Sequence, residues 1–274
     1  MPGLTRVARR PPGWVPPGPR PLGEASGAAP ADDEDVCYLT GEFRLFQKLR
    51  GHRWSLDDLI TAHFAAEQAP APTRCLDLGC GIGSVLLMTA WRFPEASCLG
   101  IEAQPISAAL ARKSIAWNGV EDRVRLLEQD FRAAALEPQY GLVTGTPPYF
   151  PLGTGTLSQK VQAGPCRFEH RGGVEAYCEA AARALADDGT FVFCESANQR
   201  PRVEAALKHH GLHLRRWKDV VPKAGKAALV SVFCAQRAAC VPQPLPALQV
   251  RDAAGQWTAE FLAVRSAMGM PPRP

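Results

Sequence analysis

The segment Cys75-Leu76-Asp77-Leu78-Gly79-Cys80-Gly81-Ile82-Gly83 joins a short apolar run to a glycine turn. Cys75–Leu78 has the length and apolar content of a buried strand. The alternating glycines permit positive φ and let a ligand approach the backbone closely. In an open α/β sheet such a turn lies at the carboxyl edge, where ligands bind. Downstream, strand and helix alternate. Val85–Trp91 is the apolar part of a helix, and Ser97–Ile101 is a second strand. Ile106–Asn118 is a helix that ends at Asn118-Gly119, a suitable C-cap. Val124–Glu128 and Tyr140–Gly145 are the third and fourth strands. Val174–Ala186 is helical, is closed by Asp187-Asp188-Gly189, and leads into a fifth strand, Thr190–Cys194. After a helix over Arg202–Gly211, Leu212–Trp217 and Ala228–Ala235 follow as two strands with no helix between them. Repeated units of this length predict an α/β fold, a doubly wound, mostly parallel seven-stranded sheet ending in an antiparallel hairpin.

Upstream, Ser55 suits an N-cap, with Asp57 and Asp58 in the first turn of a helix over residues 55–67. Residues 37–49 read as a short hairpin or strand around Phe43, Leu45 and Phe46. Residues 1–35, rich in Pro, Gly and Ala and ending in Asp32-Asp33-Glu34-Asp35, read as a disordered basic tail. The domain is expected over 36–240, with a cap segment over 36–72. A tail over 241–274 carries Pro242, Pro244 and Pro246, then a short helical stretch near Glu260–Met268.

Composition narrows the function classes. The 46% apolar content supports a sizeable core, and a net charge of +4 permits a nucleic-acid partner without requiring one. No apolar run approaches the length of about 20 residues needed to cross a bilayer. The cysteines show no C-x-x-C pair and several lie in apolar runs, which reads as buried reduced thiols in a cytoplasmic protein. His52, His63, His209, His210 and His213 lack metal-ligand spacing, so no metal is expected.

A dinucleotide fingerprint needs glycines at the first, third and sixth places of the turn, but the sixth place here is Ser84. Asp77 would repel a pyrophosphate, yet it can receive the α-amino group of a zwitterionic ligand. The pattern Asp77, Gly79, Gly81 and Gly83 therefore favours S-adenosylmethionine over NAD. Glu102 closes the second strand 23 residues after Gly79, where a carboxylate can accept both ribose hydroxyl protons. Asp130 closes the third strand and can accept from the adenine amine, with Phe131 covering the ring.

Thr146-Pro147-Pro148-Tyr149 follows the fourth strand. The two prolines fix the backbone. A carbonyl held there can accept one hydrogen from a target amine, and the Thr146 side chain can take the other. Tyr149 can stack on a planar base, worth about 1–3 kcal/mol. Such orientation can supply about 7–11 kcal/mol without a strong general base. The alternative for this tetrapeptide is a plain Pro-Pro surface turn followed by a core aromatic.

The combination resembles the bacterial adenine-N6 methyltransferases that modify the anticodon loop of a valine tRNA. More broadly it is similar to the small-domain methyltransferases with an Asn-Pro-Pro-Tyr loop. Beyond the two loops, the resemblance runs through Phe43-Arg44-Leu45-Phe46-Gln47 and Gly51-His52-Arg53-Trp54-Ser55-Leu56-Asp57, the family's cap on the cofactor pocket. It continues in Cys166-Arg167-Phe168-Glu169, in Gly225-Lys226 and Ala228–Phe233 of the last hairpin, and in Val250-Arg251-Asp252 of the C-terminal tail. It implies a class I, Rossmann-like methyltransferase fold. Its loop opens with Asn, whereas this chain has Thr146, a shorter side chain that can also donate.

Residues 151–173 form a long Gly-rich segment directly after the loop. Lys160, Arg167 and Arg171 are the expected contacts to substrate phosphates over a flipped nucleotide; a solvated loop with Arg167 paired to Glu169 is the alternative. The expected activity is S-adenosylmethionine-dependent adenine-N6 methylation of RNA, expected to be tRNA, by a monomer. The alternatives are glutamine-N5 methylation of a protein, or a catalytically weak binding protein of the same fold.

Overall fold

The computed structural model describes residues 3–6, 10–51, 53–149 and 172–272. Its elements run β1 (Leu4–Thr5), β2 (Glu34–Thr40), β3 (Phe43–Lys48), α1 (Leu56–Gln68), β4 (Arg74–Leu78), α2 (Ser84–Arg92), β5 (Ser97–Glu102), α3 (Pro105–Asn118), β6 (Val124–Glu128) and β7 (Tyr140–Gly145). Then come α4 (Val174–Ala184), β8 (Leu185–Ser196), α5 (Arg200–His209), β9 (His213–Val221), β10 (Val230–Gln236), β11 (Gln243–Gln249) and α6 (Ala259–Ala267).

The main sheet has the order β11-β9-β10-β8-β7-β4-β5-β6. From β4 the chain steps outward through β5 and β6, then returns to β7 on the other side of β4. That reversal creates a crevice at the carboxyl ends of β4 and β7. Their register is specific: Leu78 is paired with Gly145 in a parallel ladder. The chain therefore leaves both strands at the same level, Gly79 on one and Thr146 on the other.

Side chains alternate between two cores, as buried strands require. Phe191 and Phe193 face the α4 and α5 layer, with ring centroids 4.4 Å apart. Val192 and Cys194 face the layer of α1, α2 and the β2–β3 hairpin.

The sheet has eight strands rather than the expected seven. Gln243–Gln249, read from sequence as tail, adds β11 parallel to β9. Pro244 and Pro246 fit there because an edge strand can carry prolines whose missing N–H would face solvent. The β9–β10 hairpin is antiparallel as expected, with β10 packed between β8 and β9 and β11 covering its outer side.

The expected disordered tail differs more. Within its described part, β1 pairs in parallel with β2, and Arg10 bonds Glu42 at 2.9 Å. Gly18 and Gly41 close on the Trp91 indole, and Leu22 packs over Gly119. Prolines fix φ and remove donors, so the segment can cross the surface without a full ladder. β3 keeps its outer backbone satisfied by side chains of α3: Phe46 N–H donates to Ser114 Oγ at 2.9 Å, and Arg44 N–H to Asn118 Oδ1 at 2.8 Å.

Candidate active site

The glycine turn is held by its neighbours on β5. Cys80 N–H donates to the Ile101 carbonyl at 3.0 Å, and Gly81 N–H to Glu102 Oε2 at 2.9 Å. Gln104 N–H donates to the other Glu102 oxygen at 2.6 Å. Gly79 and Gly81 sit at φ +60° and +57°, the left-handed region that glycine occupies freely. A Cβ on Gly79 would lie 2.4 Å from the Tyr177 hydroxyl, while one on Gly81 would meet nothing within 4 Å. Gly81 thus opens onto free space, and Gly79 is packed from below.

One cleft collects both loops. It is lined by Gly79, Cys80, Gly81, Glu102, Asp130 and Phe131 on the glycine side. Thr146, Pro147, Pro148 and Tyr149 line it on the other. Phe131 is tilted against Tyr177 with centroids 4.6 Å apart, and Asp130 is paired with Arg132 at 2.6 Å.

Two expected residues stand elsewhere. Gly83 caps α2 at φ +89° and packs against Ala111, so it serves the helix–helix contact rather than the cleft wall. Asp77 is buried beneath the turn and is not in the lining. Its Oδ1 accepts from the Thr144 hydroxyl at 2.8 Å, and Oδ2 is buried with no hydrogen-bond partner among the described residues. Burial pushes the Asp77 carboxyl up to about 7. Lys160, Arg167 and Arg171 lie outside the described residues.

The first turn of α1 brings residues whose spacing predicts helix capping. Ser55, Asp57 and Asp58 all line the cleft. Asp58 accepts from Ser55 N–H at 2.8 Å, so it does cap the helix. It is also buried, and burial followed by the charge of Asp57 pushes its carboxyl up to about 8. The Tyr149 hydroxyl donates to Asp57 Oδ2 at 2.7 Å and lies 2.9 Å from Cys194 Sγ. Burial, then Cys194 and Asp57, raise the phenol well above its ordinary pKa, so it stays a neutral donor. Tyr177, Ser84 and Gln104 were also missed. Tyr177 carried a weak signal, a polar-tipped aromatic early in a helix that follows the reactive loop.

The cleft is therefore rich in carboxyls, with Asp57, Asp58, Glu102 and Asp130 on its walls and Asp77 beneath, and burial lets Asp58 and Asp77 hold their protons up to about pH 8 and about pH 7 until a cation is near. That charge suits a cationic ligand and disfavours a phosphate-bearing one.

The methyltransferase small domain model matches residues 58–163, from the first turn of α1 through both loops. That segment, less than half of the chain, is similar to the small-domain methyltransferases. Among relatives of the chain, a tRNA1(Val) (adenine(37)-N6)-methyltransferase of Porphyromonas gingivalis is 36% identical over 105 residues, 36% of this chain and 41% of that protein. The Bacteroides thetaiotaomicron protein of the same description is 27% identical over 176 residues, covering 63% and 73%. A release factor glutamine methyltransferase of Caulobacter vibrioides is 33% identical over 153 residues, 53% of each chain. The chain thus spans less than half of the first of these relatives and about half of the last. A solved structure from Agrobacterium tumefaciens, described as a predicted O-methyltransferase, superposes with a TM-score of 0.61 at 18% identity, covering 80% of this chain and 99% of that one. The likeness shows the class I methyltransferase fold.

Among the described residues no helix is long and apolar enough to cross a membrane, and no group of three or more His, Cys, Asp or Glu could hold a metal ion.

Proposed function

We propose that the chain transfers a methyl group from S-adenosylmethionine to the exocyclic N6 amine of an adenine in RNA, with tRNA as the substrate. The Leu78–Gly145 pairing carries this reading, because it sets the glycine turn and the Thr146–Tyr149 turn on one cleft. The residues fit the cofactor. Gly81 leaves open room where a side chain would stand, Asp77 Oδ2 lacks a partner among the described residues, and the walls are acidic. When bound, the cofactor supplies an electrophilic sulfonium methyl.

The rest falls to the protein. Glu102, whose carboxylate is fixed by two backbone N–H donors, is assigned to the ribose hydroxyls. Asp130 accepts from the adenine amine, and Phe131, braced by Tyr177, covers the ring. Asp77 supports the turn from below and attracts the cationic end of the ligand. On the facing loop, the Pro147 carbonyl and the Thr146 hydroxyl take the two hydrogens of the target amine and keep its lone pair directed across the cleft. The Pro-Pro backbone holds that geometry without reorganisation. Tyr149, anchored through its hydroxyl, borders the space where the base enters. Lys160, Arg167 and Arg171 follow in the chain and are assigned to phosphates. This activity belongs in the cytoplasm, and a monomer suffices for it.

The adenine assignment draws on the named relatives from Porphyromonas and Bacteroides. Thr146 and the Caulobacter relative favour glutamine-N5 methylation of a release factor as the rival. Incubation of the purified chain with labelled cofactor and either bulk tRNA or release factor separates them. Nucleoside mass spectrometry should find N6-methyladenosine in the tRNA arm, whereas label in protein alone sinks the proposal.

A further inference from the structure

The carboxyl edge of the sheet continues past the reactive cleft. Gly145 is paired with Phe193, Phe193 with Phe233, and Phe233 with Trp217, so β8, β10 and β9 all cross the level of the reactive loop. Three residues further, Ser196 lies opposite Val230, and Val230 opposite Val220. The connection from Pro222 to Leu229 therefore projects from the same edge as the Thr146–Tyr149 turn. At about 3.3 Å per residue and about 4.8 Å per strand, its root stands about 15 Å from Gly145.

This connection presents two lysines on a tight turn. Lys226 N–H donates to the Lys223 carbonyl at 3.0 Å, with Gly225 at φ +76°. Lys223 and Lys226 thus sit at the two ends of a four-residue turn, with Cα atoms within about 7 Å of each other. Both are exposed, and neither side chain has an ion pair or hydrogen bond among the described residues. The turn is tied at its foot, where Ala224 N–H donates to the Arg251 carbonyl at 2.9 Å. The carboxylates close by in the chain are occupied: Asp219 accepts from the Ser231 hydroxyl, and Asp252 from Gln256 N–H at 2.8 Å. Other cations of this side are engaged too. Lys218 is paired with Glu67 at 3.2 Å, Arg200 with Glu204 at 3.6 Å, and Arg216 donates to Gln68 Oε1 at 3.1 Å. Two exposed like charges held this close repel, and a polyanion relieves the repulsion as it gives up its counterions.

We propose that the β9–β10 turn holds backbone phosphates of the RNA substrate, through Lys223 and Lys226, while the target adenine occupies the cleft. The inference rests on the RNA reading above and extends it. Both lysines project from an exposed turn, so they suit a long polyanion that runs past them rather than a small anion that needs enclosing. A lysine ammonium is a point charge on a flexible stem, and it follows a backbone without demanding one geometry. Position favours the same partner, because a turn about 15 Å from the reactive loop is within reach of the phosphates that flank the base. The cleft itself is rich in carboxyls and gains nothing from phosphates, so grip on the backbone has to come from outside it.

The test uses the full chain with Lys223→Gln, Lys226→Gln and the double variant. Lys208→Gln is the control, since it removes one exposed cation from the end of α5, at the opposite edge of the sheet. Affinity for bulk tRNA is measured by fluorescence anisotropy across a salt series, beside steady-state methylation. Each lysine variant should lower the salt slope by about 0.7–0.9, and the double variant should raise KM for tRNA about tenfold with kcat kept. Cofactor affinity by calorimetry should stay at the parent value, and the control should match the parent throughout. Bound tRNA should also shield Lys223 and Lys226, but not Lys208, from an amine-acylating reagent, read by peptide mass spectrometry. A double variant with parent-like slope and KM overturns the proposal. So does a Lys208→Gln slope that falls as far as that of either turn variant, which marks net charge alone. A parent that methylates release factor and not tRNA removes the RNA reading itself. A parent active on tRNA whose two turn lysines stay reactive removes only this site.

Discussion

The Tyr149 hydroxyl donates to the Asp57 carboxylate across 2.7 Å, joining the loop after β7 to the first turn of α1. Cys194, 2.9 Å away at the end of β8, completes the anchor. The reactive loop is thus fixed at its far end by two other elements, and its own prolines stiffen the middle.

Tyr149→Phe keeps the ring and removes the tie. A hydrogen bond to a charged group contributes about 1.5–3 kcal/mol, so the loop loses much of its fixed geometry. We expect kcat to fall about tenfold while cofactor affinity is kept, since orientation rather than binding is lost. Tyr149→Ala removes the ring as well and should abolish turnover. Steady-state kinetics beside calorimetry checks both, and unchanged kcat in Tyr149→Phe would show that the tie has no part in catalysis.

The buried acids make stability depend on pH. Burial, with Asp57 second, sets Asp58 at about 8, and burial sets Asp77 at about 7. In the unfolded chain both titrate near the ordinary value of about 3.9. Between about pH 4 and about pH 7–8 the folded protein holds protons that the unfolded chain has released, so stability falls as pH rises through that window. The ligand-free protein should melt higher at about pH 5 than at about pH 8, and Asp58→Asn should flatten the difference. Glu34 and Asp35, whose pKa values are lowered, act in the opposite direction at lower pH, so the variant is compared with its parent. A cationic ligand favours the ionised carboxylates, so S-adenosylmethionine should bind more tightly as pH rises through 7 to 8. A melting temperature that rises over that interval in the parent alone would refute the assignment.

The glycines of the turn separate packing from binding. Gly79→Ala and Gly81→Ala both place a side chain in left-handed backbone, at a cost of about 1–2 kcal/mol. Only at Gly79 does the new methyl also collide, 2.4 Å from the Tyr177 hydroxyl. Urea melts should therefore show the larger stability loss for Gly79→Ala. Calorimetry should show Gly81→Ala losing cofactor affinity with little further loss of stability, because its methyl occupies the open cleft. Equal stability losses would mean that Tyr177 does not pack against the turn.

Much of this was legible in the residues because the relevant signals are local. The β4 strand with its glycine turn, Glu102 at the end of β5 and the Pro-Pro turn after β7 each announce themselves within a few residues. Gly83 packs against a helix instead of lining the cleft; spacing shows that a glycine needs positive φ, but not whether ligand or helix requires it. Here Ala111 of α3 does. Asp57 and Asp58 were hidden by their own plausibility: acids in a first turn are ordinary, and only the packing of α1 against the sheet turns them toward the cleft. Tyr177 and β11 depend on contacts with residues far away in the chain, and no local pattern encodes those.

Thr146 is the residue at which this chain departs from the loop it resembles, and it supplies the last prediction. Thr146 is half-buried in the cleft wall, beside Pro147. Its hydroxyl can accept a hydrogen from the target amine, but it competes by donating, and it reaches less far than an amide carbonyl. Thr146→Asn restores the longer acceptor and should raise kcat on tRNA. Thr146→Val keeps the volume and removes the acceptor. It should lower kcat about tenfold or more, the scale of one lost hydrogen bond that acts in the transition state. Cofactor affinity should be unchanged in both, because the proposed role of the side chain is toward the target amine and not the cofactor. If Thr146→Asn loses activity on tRNA while Thr146→Val keeps it, the side chain does not receive the amine, and the substrate amine must be held by the Pro147 carbonyl alone.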